Sequence, residues 1–221
     1  MSFSAIIMLC EDKAMTRIIL TFIFILTFCA NAFAAVGCSL DDPDRDVKRL
    51  FPDSTGYRTT FITLKEIGGE TLQKDLEAKL GDKFDPLYES LDVPYAYYAV
   101  LKGKETIGYI HGINQKGIFG VLQLVLATDL EGKIVGFYYQ KISSPESAKF
   151  RDSAFTAQFT GLNLTDFSGY DVSGKKATEG KLAKISDPSA SSAGDFKATL
   201  RGLKKNLILL DEFLHGSAAK T

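Results

Sequence analysis

Residues 95–141 read YAYYAVLKGKETIGYIHGINQKGIFGVLQLVLATDLEGKIVGFYYQK. Aromatic and β-branched residues fill four short runs, 95–101, 106–113, 120–128 and 133–141. Between them stand the turn-forming segments Lys102-Gly-Lys-Glu105, Asn114 to Gly117 and Asp129-Leu-Glu-Gly132. Short connections of this kind join antiparallel neighbours, so the stretch predicts a four-stranded meander. Gly120 to Thr128 is apolar almost throughout, as expected of a strand buried on both faces. A twisted sheet with such a strand needs helices against it, and the fold class expected is α+β: an antiparallel twisted sheet with helices packed on it.

Working outward, Ile142-Ser-Ser-Pro-Glu146 leads into a stretch from Pro145 to Phe159 with Phe150, Ala154, Phe155 and Phe159 at helical spacing, ended by Gly161. Leu162 to Lys184 is polar and admits only short strands. Phe196, Leu200, Leu203, Leu207, Leu210 and Leu214 then recur at steps of three or four and predict a long amphipathic helix. On the N-terminal side, Asp41-Asp-Pro-Asp44 opens a short helix that Pro52 stops, and Tyr57 to Ile67 reads as a strand. Thr71 reads as the cap of a helix whose Leu72, Leu76 and Leu80 share one face, with Gly81 closing it. The segments expected are 1–34, 35–92, 93–214 and a tail, 215–221.

The first of these has the pattern of an export signal. Arg17 precedes an apolar run from Ile18 to Phe28, and Ala32-Phe-Ala34 offers a small-residue cleavage site. Met15, just upstream of Arg17, is either the true start or part of an unusual basic flank. Cleavage after Ala34 would leave Cys38 as the single cysteine, with no internal disulfide to make. Ala35-Val-Gly-Cys38 is also a loose lipobox, so Cys38 is a candidate for diacyl anchoring. The expected location is the periplasm or the outer face of the cytoplasmic membrane.

Composition and residue inventory remove several chemistries. With 26 Lys and Arg against 27 Asp and Glu, the net charge is −1, and no overall basic field favours nucleic acid. The two histidines, His111 and His215, come with no CxxC, HExxH or G-x-S-x-G segment, so zinc hydrolysis, Cys–His catalysis and a serine-hydrolase elbow lack their parts.

The segment Ile185-Ser-Asp-Pro-Ser-Ala-Ser-Ser-Ala-Gly194 places small hydroxyl residues at the start of the last helix. Backbone N–H groups and a positive dipole end there can hold a phosphate, and Ser192 or Asp195 can serve as cap. Taken with Gly117-Ile-Phe-Gly120, an acidic-Gly turn and the Ser143-Ser-Pro-Glu146 loop, this order of features resembles the FMN-binding domain family over about Val93 to Leu210. That family includes the periplasmic flavoprotein subunits of the sodium-pumping quinone reductase and of the Rnf complex. Its loop close to E-T-P-G-L-G corresponds to Ser144, Pro145 and Glu146. Its flavinylation motif, D-x-x-S-G-A-T, corresponds to Ser189-Ala190-Ser191-Ser192, with Ser192 at the acceptor position. Asp187 stands five residues before Ser192 instead of six, and Ala190-Ser191 replaces Gly-Ala.

The resemblance implies FMN as cofactor, held by Ser189, Ala190, Ser191 and Ser192, by Ser144, Pro145 and Glu146, and by Gly117, Ile118 and Phe119. It also implies a flavin transferase and membrane or periplasmic redox partners. Ile118, Phe119, Phe150 and Phe155 are candidates for an apolar slot around the ring, although aromatic residues at helical spacing usually form core. The function expected is an exported electron carrier without catalytic residues of its own. The alternative is a lipid-anchored interaction or assembly module of the same fold without cofactor.

Overall fold

The computed structural model describes residues 38–177 and 179–216. The export segment expected over 1–34, and all but the first two residues of the tail, lie outside the described residues. Asp42 accepts a hydrogen bond from Arg45 N at 3.2 Å and starts helix α1, Pro43–Leu50. Strand β1, Gly56–Ile62, is shorter than the sequence pattern suggests. Thr63 ends it because Thr63 and Glu66 form a capping box: Glu66 N donates to Thr63 Oγ1 at 3.2 Å and Thr63 N to Glu66 Oε2 at 2.9 Å. That box starts the one-turn helix α2, Leu64–Ile67, where the strand was expected to continue. Helix α3, Gly69–Leu80, is preceded by Gly68 and not by Thr71, and ends at Gly81 in the left-handed region.

The meander is present as β2 (Tyr95–Lys102), β3 (Glu105–Lys116), β4 (Val121–Thr128) and β5 (Ile134–Ile142). All neighbours are antiparallel, and β1 adds to the edge of β2, giving a five-stranded sheet in the order β1-β2-β3-β4-β5. The segment before Val93 therefore completes the same sheet.

The helix expected over 145–159 is a chain of short turns: α4 (Ser147–Phe150), α5 (Ser153–Thr156) and a 3-10 turn, Ala157–Phe159. Asp152 breaks it. Its backbone is extended and its carboxylate accepts from Ala154 N at 2.8 Å, a local bond that competes with the helical ladder. Next come α6 (Leu164–Phe167) and the two-residue strands β6 (Tyr170–Asp171) and β7 (Lys176–Ala177). The last helix, α7, runs from Ala193 to His215.

Both faces of the sheet are covered. The larger core joins Ile113, Leu124, Leu126 and Phe137 of the sheet to Leu76 of α3, Leu203 and Leu207 of α7, and Phe150, Phe155 and Phe159 of the short turns. On the opposite face Leu40, Val47 and Phe51, from α1 and its flanks, cover Tyr98, Val100, Ile110 and Val125. This accounts for the unbroken apolar run of β4, whose Leu124, Val125, Leu126 and Ala127 are all fully buried. The described residues belong to one compact unit that contains both cores.

Candidate functional site

Three segments far apart in the sequence meet at the start of α7. The β3–β4 turn is tied down by two backbone donors: Gly117 N to Gly120 O at 2.8 Å, and Ile118 N to the Asp195 carboxylate at 2.8 Å. The packing leaves room for no further side chain. A Cβ on Gly117 would lie 2.7 Å from Asp195 Oδ1, and one on Gly194 would lie 2.3 Å from Ile118 Cγ1. The loop after β5 reaches the same place, where Ser144 Oγ donates to Ser192 Oγ at 3.4 Å and Ser189 Oγ donates to Glu146 Oε2 at 3.4 Å. Ser189 and Ser191 hydroxyls lie 3.0 Å apart. Glu146 also pairs with Lys149, whose hydrogen bond holds the carboxyl below the usual carboxylate range.

Within this cluster the residues differ in access. Ser144, Ser189 and Ser192 are buried, Ser192 being 3% exposed, while Pro145, Ala190 and Ser191 face solvent. Ser192 stands at the N-cap position of α7, yet its side chain makes no capping bond; Asp195, one turn in, spends its carboxylate on Ile118 N. The expected side-chain cap at this helix start is therefore absent, and a 3-10 turn, Ala190–Ser192, leads directly into the helix. Asp195 is wholly buried, and its second oxygen has no hydrogen-bond partner among the described residues.

Beside this junction a cleft of about 500 Å³ runs along the first turns of α7, with Ile118 and Gly194 at its edge. Lys83, Lys116, Lys175, Lys197 and Arg201 line it against only Asp82 and Asp85, a local positive excess in a chain whose net charge is −1. These cations are not equivalent. Arg201 is committed to the protein: it donates to Asp82 Oδ2 at 2.7 Å, Glu89 Oε1 at 2.9 Å, Gln115 Oε1 at 2.8 Å and Lys83 O at 2.8 Å. Lys83 pairs with Glu77 at 2.6 Å, and Lys116 stands 3.9 Å from Asp85. Lys175 and Lys197 make no ion pair among the described residues, and both are exposed.

Under the cleft lies a buried charge cluster. Glu89 and Lys205, each 1% exposed, form an ion pair, and Lys205 Nζ also donates to Asn114 O at 2.7 Å. Burial alone would raise the Glu89 carboxyl, but Lys205 and Arg201 overcome it and hold it below the usual range. The Arg201 and Lys205 side chains of α7 thus fasten the 82–89 loop as the cleft's outer wall. Neither the pair nor the cleft cations were legible in the sequence, where Lys204, Lys205 and Asn206 look like the solvent side of an amphipathic helix. All three are buried.

Two of the four candidates for a ring slot belong elsewhere. Phe150 and Phe155 are buried in edge-to-face contacts with Tyr139, Phe137, Phe159 and Phe196. Ile118 is 68% exposed and lines the cleft; Phe119, 49% exposed, projects from the same turn outside that lining. Cys38 is buried against Gly112, whose added Cβ would lie 3.0 Å from its sulfur, and burial pushes the thiol up to about 12. A lipid thioether at Cys38 requires this residue to leave that position. His111 is a core residue, its Nδ1 2.9 Å from Asn206 Oδ1, and burial lowers its pKa to about 4.

Among the described residues no cluster of His, Cys, Asp and Glu is placed to hold a metal ion, and no helix is long and apolar enough to cross a membrane. No model of a known protein family matches the chain, and a search of curated proteins finds no match.

Proposed function

We propose that this chain is an exported FMN-binding electron-transfer protein that holds the flavin phosphate at the start of α7. The observation that carries the reading is convergence: residues 117–119, 144–146 and 189–192, singled out by the family resemblance, meet within hydrogen-bonding reach at one helix start. A cleft of about 500 Å³ beside them is of the size a mononucleotide needs. The donor set suits the group: Lys197 and Lys175 for the phosphate and the Ile118 side chain, which packs over Gly194, as an apolar edge.

Bound FMN would supply the one- and two-electron chemistry. The protein's part is electrostatic. Lys116, Lys175 and Lys197 would favour the added negative charge of reduced flavin, while Asp195 fixes the turn that carries Ile118. The burial of Ser192 beneath Ser144 favours non-covalent binding over a phosphoester at that hydroxyl.

Titrating residues 35–221 with FMN, followed by flavin fluorescence, tests this. Saturable binding is expected, with riboflavin and the Lys197→Glu variant each weaker by about tenfold or more, since riboflavin lacks the phosphate and the variant reverses a charge that faces it. Absence of saturable FMN binding, together with no added flavin mass after co-expression with a flavin transferase, would overturn it. One observation favours the second reading, a cofactor-free interaction module: Ile118 N and Ser192 Oγ already find partners within the chain. Unaltered function in cells carrying Ser192→Ala in a colourless protein would support that reading.

A further inference from the structure

The β3–β4 turn presents two large apolar side chains to solvent on a rigid support. Ile118 and Phe119 are 68% and 49% exposed, adjacent, and at the tip of a turn closed by the Gly117 N to Gly120 O bond and clamped to α7 through Asp195. Lys116 precedes them in the chain, and Lys197 and Lys175 stand across the neighbouring cleft, all three exposed. Phe61, 68% exposed, provides the contrast: it sits on edge strand β1 next to Thr59 and Thr60.

We propose that this turn docks the domain on an anionic lipid surface, with Ile118 and Phe119 entering the headgroup–acyl boundary and Lys116, Lys175 and Lys197 facing lipid phosphates. Two considerations select a bilayer over a protein partner. A two-residue apolar tip is far smaller than the core of a stable protein interface. Its basic surroundings complement a negatively charged surface. The clamp on α7 means that little conformational freedom is lost on insertion. The docking surface shares Ile118 and the three lysines with the proposed flavin site, and vesicle binding measured without flavin reads it separately.

Co-sedimentation of residues 35–221 with vesicles tests it, because that stretch carries both cores and leaves out the apolar segment 18–28. Expected is at least about threefold more bound protein with phosphatidylglycerol–phosphatidylcholine vesicles than with phosphatidylcholine alone, the excess vanishing at about 1 M salt, where charges are screened beyond about 3 Å. Phe119→Ser should weaken binding by about tenfold, the loss of one buried aromatic side chain, with an unchanged melting temperature; Phe61→Ser should bind as wild type. Equal binding to both vesicle types, no binding to either, or a Phe119→Ser variant that binds as wild type would overturn the proposal. A Phe61→Ser variant as weak as Phe119→Ser would overturn it as well, since adhesion would then not belong to this turn.

Discussion

Histidine 111 shows how one side chain can carry a pH dependence without being part of any site. Its ring packs against Tyr95 and Phe213 and bonds Asn206, and burial lowers its pKa from 6.5 to about 4. Between those values the unfolded chain takes up a proton that the folded chain refuses, so this residue's contribution is complete above pH 6.5 and declines as the pH falls towards 4. The loss is on the order of 3 kcal/mol. Urea melts of wild type and His111→Gln across that window should show a shallower decline for the variant; parallel curves would mean that the carboxylates carry the whole dependence. The sequence located His111 in a strand, but its burial depends on Asn206 and Phe213, which lie far along the chain. Ser192 teaches a similar lesson: the letters around it place it at a helix start, whereas its burial and its contact with Ser144 arise only on folding.

Among the elements, α7 does most to build the candidate site. Its apolar stripe is readable, and Leu200, Leu203, Leu207 and Leu210 are buried as the periodicity implies. Its polar positions mislead, because each finds a partner far along the chain: Lys205 pairs with Glu89 of the 82–89 loop, Lys204 donates to Tyr170 O at 3.1 Å, and Asn206 bonds His111. Removing that carboxylate leaves an ammonium buried and uncompensated. Glu89→Gln should therefore cost about 3–5 kcal/mol of stability, read by chemical denaturation, and should release the 82–89 loop, read as faster amide exchange from Lys83 to Glu89. A cost under about 1 kcal/mol would mean that the loop is held by other contacts. The stretch 145–159 fails as a single helix for a local reason. Asp152 bonds the backbone two residues on, and the three aromatic side chains reach the core from separate short turns.

For the domain as a unit, the N-terminal segment is a structural cover. Leu40, Val47 and Phe51 close the face of the sheet opposite α7. A chain beginning at Thr55 should expose Tyr98, Val100, Ile110 and Val125, bind a hydrophobic dye and melt at least about 5 °C lower. An unchanged melting curve would show that this face needs no cover. The cleft belongs to the same level of organisation, since its cations come from the 82–89 loop, the end of β3, the β6–β7 turn and α7.

The amino-acid order alone was enough for the meander, the final helix and the turn residues between strands, and it singled out three segments that the fold brings together at the start of α7. Those features rest on periodicity and on turn chemistry, which act between near neighbours and leave a mark in consecutive letters. The basic cleft, the buried Glu89–Lys205 pair, the covering of Ser192 and the exposure of the Ile118–Phe119 tip emerge only on folding. Each depends on side chains dozens of residues apart, and the balance of desolvation against pairing that sets their state exists only once the chain has closed around them.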